Sequence, residues 1–148
     1  RRSSDLVALQ LAVPIFDGFS RHYQTRAAKA EFDLAAADLD IAELYAPCTI
    51  VEVLVSEALG LVPRGQGARA AAEGETRLGG RIPVSTSGGL TSRGHPAYVT
   101  SLYNYVELAA QLRGRAGERQ VKNARFGLST GELGNYNAAL VHVLEAMA

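Results

Sequence analysis

The chain has 148 residues and a mass of 15.7 kDa, the size of one ordinary domain that buries about two-thirds of its unfolded surface. At 47% hydrophobic and 20% charged residues, it is neither a disordered tail nor a fibrous repeat. Its 15 basic residues balance 15 acidic ones, so it carries no footprint for nucleic acid or for an anionic membrane surface, and no apolar run approaches the roughly 20 residues that span a bilayer.

Residues 6–15 (LVALQLAVPI) form an apolar run broken at Pro14, short enough to be a strand or a helix. Residues 19–39 are rich in helix formers, with Phe19, Tyr23, Ala27, Ala30 and Leu34 at helical spacing. Residues 38–44 (DLDIAEL) alternate and predict a short strand. Pro47 suits a first helical position, residues 49–59 continue as a helix, and Gly60 stops it. Residues 62–80 read as a loop with one short helix over 68–72. A short strand at 82–84 then leads into a glycine turn over 85–94. From His95 to Leu112 the apolar positions Val99, Leu102, Val106 and Ala109 recur at helical spacing, and Gly114 ends that helix. Residues 124–129 and 138–144 read as two strands joined by a glycine turn over 131–134. Strands alternating with helices imply an α/β fold with a mostly parallel sheet. Residues 1–20 stay unplaced, and residues 21–148 form the domain.

Cys48, the single cysteine, excludes an internal disulfide and a cysteine-built zinc site, and fits a reducing compartment such as the cytoplasm. Placed before the run TIVEVLV, it reads as a small buried hydrophobe rather than a nucleophile. No signal-peptide pattern is present, and an opening Arg1 in place of Met is expected of a fragment or a processed piece. The histidines His22, His95 and His142 are too scattered for a metal site. His22 reads as solvated and His142 as packed in a strand. The densest chemical signal is residues 79–96 (GGRIPVSTSGGLTSRGHP). Its glycine pair, Gly88 and Gly89, permits a sharp turn that leaves N–H groups for an anion or oxyanion. His95 then suits general acid–base or oxyanion work at the head of a helix, or simply satisfies that helix end. Tyr98, Tyr103 and Tyr105 read as core or interface packing. Arg64, Arg69 and Arg77 line the long loop, where they would meet phosphates or only water.

Residues 79–96, the helix ending in Gln111-Leu112-Arg113-Gly114, and Arg119-Gln120-Val121 together resemble the C-terminal half of thiolases. The branch they are most similar to is that of the sterol carrier protein thiolases and their aldolase-like relatives, with its PxNxxGG segment, GHP and QLRG. Residues 38–61 (DLDIAELYAPCTIVEVLVSEALGL) resemble the same branch, and the likeness extends over residues 24–148. A second, low-information likeness, of residues 13–39 to outer-membrane efflux tunnels, covers nothing after Leu39.

The thiolase resemblance implies a thiolase-like C-terminal half: a mixed, mostly parallel sheet with helices on both faces. It implies an acyl-CoA enzyme of lipid metabolism that makes or breaks a carbon–carbon bond, either an acyltransferase or a retro-aldolase. A coenzyme A thioester is then the substrate and no cofactor is covalently bound. By the same resemblance His95 and Tyr45 polarise the thioester, Gly88 and Gly89 shape its site, and Ser129 falls near a second catalytic cysteine. The chain departs from the pattern at Ser129, where serine is a poorer base, and at Ser85, where the family has asparagine. The nucleophilic cysteine belongs to an N-terminal half outside this sequence. A homo-oligomer such as a dimer, or a hetero-complex with a nucleophile-bearing half, is therefore expected as partner, with no nucleic acid and no membrane span. The alternative is a non-catalytic, truncated thiolase-fold module that acts in partner binding.

Overall fold

A computed structural model describes residues 6–13, 38–96, 99–133 and 138–146. The strands are β1 (Leu6–Val13), β2 (Ile41–Glu43), β3 (Phe126–Leu133) and β4 (Ala138–Ala146), hydrogen-bonded in the order β1-β4-β3-β2. The helices are α1 (Thr49–Ala58), α2 (Gly67–Ala72), α3 (Gly89–Arg93) and α4 (Thr100–Leu112), followed by a 3₁₀ turn at Gly117–Arg119. β4 is antiparallel to both β1 and β3, whereas β2 runs parallel to β3. Val84 adds a parallel bridge to Ala42. The sheet is mixed, as expected, but parallel pairing is confined to β2 and its neighbours. Only four residues separate β3 from β4, too few for the crossover that a parallel pair needs, so their ladder is antiparallel.

Neighbouring residues of β2 point to opposite faces of the sheet, and each face has its own core. Ile41 lies with Leu108, Leu112 and Leu144 under α4. Ala42 lies with Leu61, Ile82, Val84, Leu128 and Val141 on the other face, closed by Val55 and Leu59 from α1 and its end. This places helices on both faces and makes the fold α/β. The approach of α4 is set by two glycines of β3. A Cβ on Gly127 would stand 3.0 Å from Leu108 Cδ2, and one on Gly131 would stand 2.7 Å from Ser101 Oγ. Gly131 is therefore inside the strand, where a side chain would lift the helix, and not in the turn expected over 131–134.

Other boundaries moved for local reasons. The helix read from His95 begins at Thr100. His95 precedes Pro96, and a residue before proline is excluded from the helical region by the ring. The apolar stripe Val99, Leu102 and Val106 is exposed, and α4 instead buries Thr100, Asn104, Glu107, Leu108, Gln111 and Leu112. α1 starts at Thr49, one residue after an extended Cys48, so Pro47 precedes the helix rather than opening it. Cys48 is exposed, not buried. As the residue that caps α1, it accepts the Val51 and Glu52 amides on its backbone carbonyl and starts the helical hydrogen bonding. The ambiguous N-terminal run is a strand over residues 6–13, so part of the unplaced segment belongs to the sheet. The helix expected over 19–39, with His22, falls almost wholly outside the described residues, as do Tyr98 and Gly134.

Candidate functional site

Tyr45 follows β2 by two residues, and His95 follows α3 by two. Their side chains meet: Tyr45 Oη lies 2.6 Å from His95 Nε2, on the surface of the molecule. The two rings meet edge to face, with centroids 5.5 Å apart and planes at 74°. The Tyr45 amide donates to Thr130 Oγ1 at 2.7 Å, which ties the tyrosine to β3. A phenol against an imidazole can pass a proton either way. With Nε2 unprotonated it accepts the phenol hydrogen. With Nε2 protonated it donates to the phenol oxygen and frees the hydroxyl hydrogen for a third group.

The glycine pair lies directly before this histidine. Gly88 has φ +89 and Gly89 φ +60, and a Cβ on Gly88 would come 2.8 Å from Ser92 Cβ. The expectation of amides left for an oxyanion is not met here. Gly88 N–H donates to the Ser85 carbonyl at 2.9 Å, and Gly89 N–H reaches Ser87 Oγ at 3.3 Å. The pair shapes the turn that aims α3 and His95. Ser85 itself holds φ 51, a region that asparagine tolerates better than serine.

Beneath the turn is a buried polar network that spacing arguments missed. Glu43 is 0% exposed. Its carboxyl accepts Ser87 N–H at 3.0 Å, Ser87 Oγ–H at 2.6 Å and Thr86 Oγ–H at 3.1 Å. Burial pushes the Glu43 carboxyl above the ordinary carboxylate range, against the hydrogen bonds from Ser87 and Thr86, and nearby Glu107 adds to the rise. Burial also pushes Glu107 up, but hydrogen bonds from Arg119, Gln111 and Thr86 and the Arg119 charge outweigh it and hold that carboxyl low. Arg119 grips Glu107 through Nε at 3.2 Å and through a terminal guanidinium nitrogen at 3.0 Å. Two carboxyls thus share Thr86, one tending to neutral and the other charged and paired. Asn104, Glu107 and Gln111 stand at helical spacing, a polar stripe that the sequence displays but that apolar periodicity overlooks. Gln111 and Arg119 lie inside the QLRG and RQV segments already singled out.

Ser129 sits in β3, next to the Thr130 that receives the Tyr45 amide. It is 1% exposed within β3, in register with Glu43 on one side and His142 on the other. Its hydroxyl has no hydrogen-bond partner among the described residues. His142 is half-buried and hydrogen-bonded to Tyr105. Desolvation lowers the His142 pKa and raises that of Tyr105. Tyr103 is exposed under the Arg93 guanidinium. Arg69 pairs with Glu73 at 2.7 Å on the surface of α2, while Arg64 and Arg77 are exposed. Among the described residues no helix is long and apolar enough to cross a membrane, and no three His, Cys, Asp or Glu side chains cluster as a metal site.

The chain is similar to known proteins over most of its length. It is 42% identical over 110 residues to an acetyl-CoA acetyltransferase of Methanothermobacter thermautotrophicus, covering 74% of this chain and 29% of that protein. It is 44% identical over 108 residues to sterol carrier protein 2 of Rattus norvegicus, covering 73% of this chain and 20% of that protein. A benzoylsuccinyl-CoA thiolase subunit of Thauera aromatica is 34% identical over 92 residues, covering 62% of this chain and 24% of that protein. The chain thus spans 29% or less of these curated relatives. The solved structure titled "Ltp2-ChsH2(DUF35) aldolase" shares the fold at a TM-score of 0.67 and 23% identity, covering 94% of this chain and 38% of that one. The profile of the family described as thiolase C-terminal domain-like matches residues 19–146, and the chain belongs to that family.

Proposed function

We propose that this chain is the C-terminal half of a thiolase-fold acyl-CoA enzyme that makes or breaks a carbon–carbon bond, completed by a nucleophile-bearing half or partner. The observation that carries this reading is the 2.6 Å contact of Tyr45 Oη with His95 Nε2 on the open surface. The names of the relatives, an acetyl-CoA acetyltransferase and a benzoylsuccinyl-CoA thiolase subunit, support an acyl-CoA substrate. Tyr45 and His95 act as one acid–base unit. As a donor it polarises a thioester carbonyl, and the charge that develops on oxygen draws the phenol hydrogen closer. As a base it takes the hydroxyl proton of a β-hydroxyacyl thioester. The bond between the α and β carbons then breaks, a carbonyl forms at the β carbon, and the electron pair passes to the α carbon as the thioester enolate. Protonation at the α carbon completes that step. Serine at Ser129 is a poor shuttle for an α proton, so the retro-aldol or a noncanonical acyl transfer is favoured over ordinary thiolysis. Gly88 and Gly89 shape the site by holding the turn that leads into α3 and His95.

The test is turnover against stability in the complete protein. His95→Ala and Tyr45→Phe are each expected to lower kcat by about 10²–10⁴. Melting midpoints should hardly move, because the contact is exposed. Near-parental kcat in both variants would sink the catalytic reading and leave a module that serves partner binding.

A further inference from the structure

We infer that Asn104 is a positioning residue, whose single buried amide locks the strand end that carries Tyr45 to the helix end that carries His95. The inference rests on the acid–base reading of that pair. Asn104 is 0% exposed on α4. Its Nδ2 donates to the Glu43 carbonyl and to the Thr130 carbonyl, both at 3.2 Å. Its Oδ1 accepts from the Arg93 guanidinium.

Each partner is one short step from the pair. Glu43 ends β2 and stands two residues before Tyr45. Thr130 receives the Tyr45 amide on its hydroxyl. Arg93 ends α3 and stands two residues before His95. The parallel ladder of β2 and β3 stops at the Glu43–Ser129 pair. The Asn104 amide bonds the carbonyls just where the ladder no longer holds the strands. The chemistry demands asparagine's donor and acceptor set: two hydrogens on one nitrogen for two carbonyls, and an oxygen for the guanidinium. Aspartate keeps the acceptor and loses both donors. Alanine leaves two carbonyls and a guanidinium without this partner in a buried place. The Arg93 guanidinium also lies over the Tyr103 ring, 5.4 Å from its centroid, so both ends of the link rest on α4.

The test reads the pair directly, in the full chain labelled with ¹⁵N at histidine, with the His95 resonances assigned from a His95→Gln spectrum. Tyr45→Phe removes the phenol and defines the unpaired position of the Nε2 resonance. Asn104→Ala is expected to move that resonance most of the way to the Tyr45→Phe position. Val62→Ala, a buried change in the loop beyond α1, is expected to leave it in place. Arg93→Met keeps the side-chain stem, removes the guanidinium and is expected to act as Asn104→Ala does, so it serves if the alanine variant does not fold. In the complete protein the Asn104 substitution should lower kcat by about 10²-fold with KM little changed, as misplacement of a reacting group does. If neither folded variant moves the resonance while Tyr45→Phe does, the positioning role is overturned and the Tyr45–His95 reading survives. If the variants move it but Tyr45→Phe keeps full turnover, the catalytic reading fails while the positioning stands. A resonance unmoved by Tyr45→Phe overturns both.

Discussion

Glu43 and Glu107 show how similar side chains a few ångströms apart acquire opposite tendencies. Glu43 has only neutral donors, and burial raises its pKa; Glu107 has Arg119, and its pKa falls. The consequences for stability have opposite signs. A raised folded pKa means the folded state holds its proton more tightly, so stability falls as pH rises from the unfolded value of 4.5 through the folded one. Glu107 loses its contribution as pH falls from 4.5 through its lowered folded pKa. Glu43→Gln keeps a carbonyl acceptor for Ser87 and Thr86 and removes the titration. It is therefore expected to flatten the decline of stability above pH 4.5 and to leave the acid limb unchanged, as read by urea midpoints across pH. An unchanged slope above that value would count against a raised Glu43 pKa. At Gly88 the left-handed backbone and the 2.8 Å approach to Ser92 Cβ act together. Gly88→Ala is expected to cost roughly 1–2 kcal/mol by denaturant unfolding. Neither carboxyl role is visible in spacing, because pKa depends on burial and on partners brought from 44 and 12 residues away.

The instructive element is α4. Its periodicity announces a helix, and a helix is there, but the apolar stripe faces out. Val106 is 61% exposed and Leu102 60%, whereas Asn104, Glu107 and Gln111 are buried. Gln111 explains why a polar stripe is kept inside. Its Nε2 donates to the Arg119 carbonyl at 2.7 Å and to Glu107 Oε1 at 3.0 Å. Its Oε1 accepts the Val121 amide at 2.8 Å. One side chain thereby fastens the segment after α4 to the helix. Gln111→Leu leaves those backbone groups unpaired and is expected to lower unfolding stability by roughly 1–3 kcal/mol. A midpoint equal to that of the parent would show that water takes the place of the amide. The strand at 38–44 and the helix at 49–59 are legible in the sequence because alternation and flanking Pro47 and Gly60 act within a few residues. The start of α4 at Thr100 is not legible in that way: Pro96 keeps His95 out of the helix but does not mark Thr100 as its first residue.

For the whole molecule, the outward stripe of Val99, Leu102, Tyr103 and Val106 is an apolar surface at helical spacing. Val143 of β4 is buried in the sheet core and adds nothing to that surface. A chain that spans 29% or less of its curated relatives is expected to cover the α4 stripe by pairing, with a second copy or with a nucleophile-bearing half. Leu102→Lys with Val106→Lys should return it to a monomer in sedimentation velocity at micromolar concentration. A parent chain already monomeric there, with no bound apolar dye, would refute the pairing. The chain alone is also expected to give no thiolysis of acetoacetyl-CoA, and an acyl adduct on the exposed Cys48 in mass spectrometry would refute that. The α/β class and the prominence of His95 and the glycine pair were readable from the residues themselves, because turns, caps and motif spacing are local properties of the chain, whereas the family and Tyr45 came from the resemblance to thiolases. Only the tertiary structure decided that Tyr45 and His95 touch, that Ser129 is enclosed in the sheet and that α4 turns its polar side inward. Those outcomes depend on which segments, distant in sequence, must bury or hydrogen-bond the same groups, and no local pattern encodes that choice.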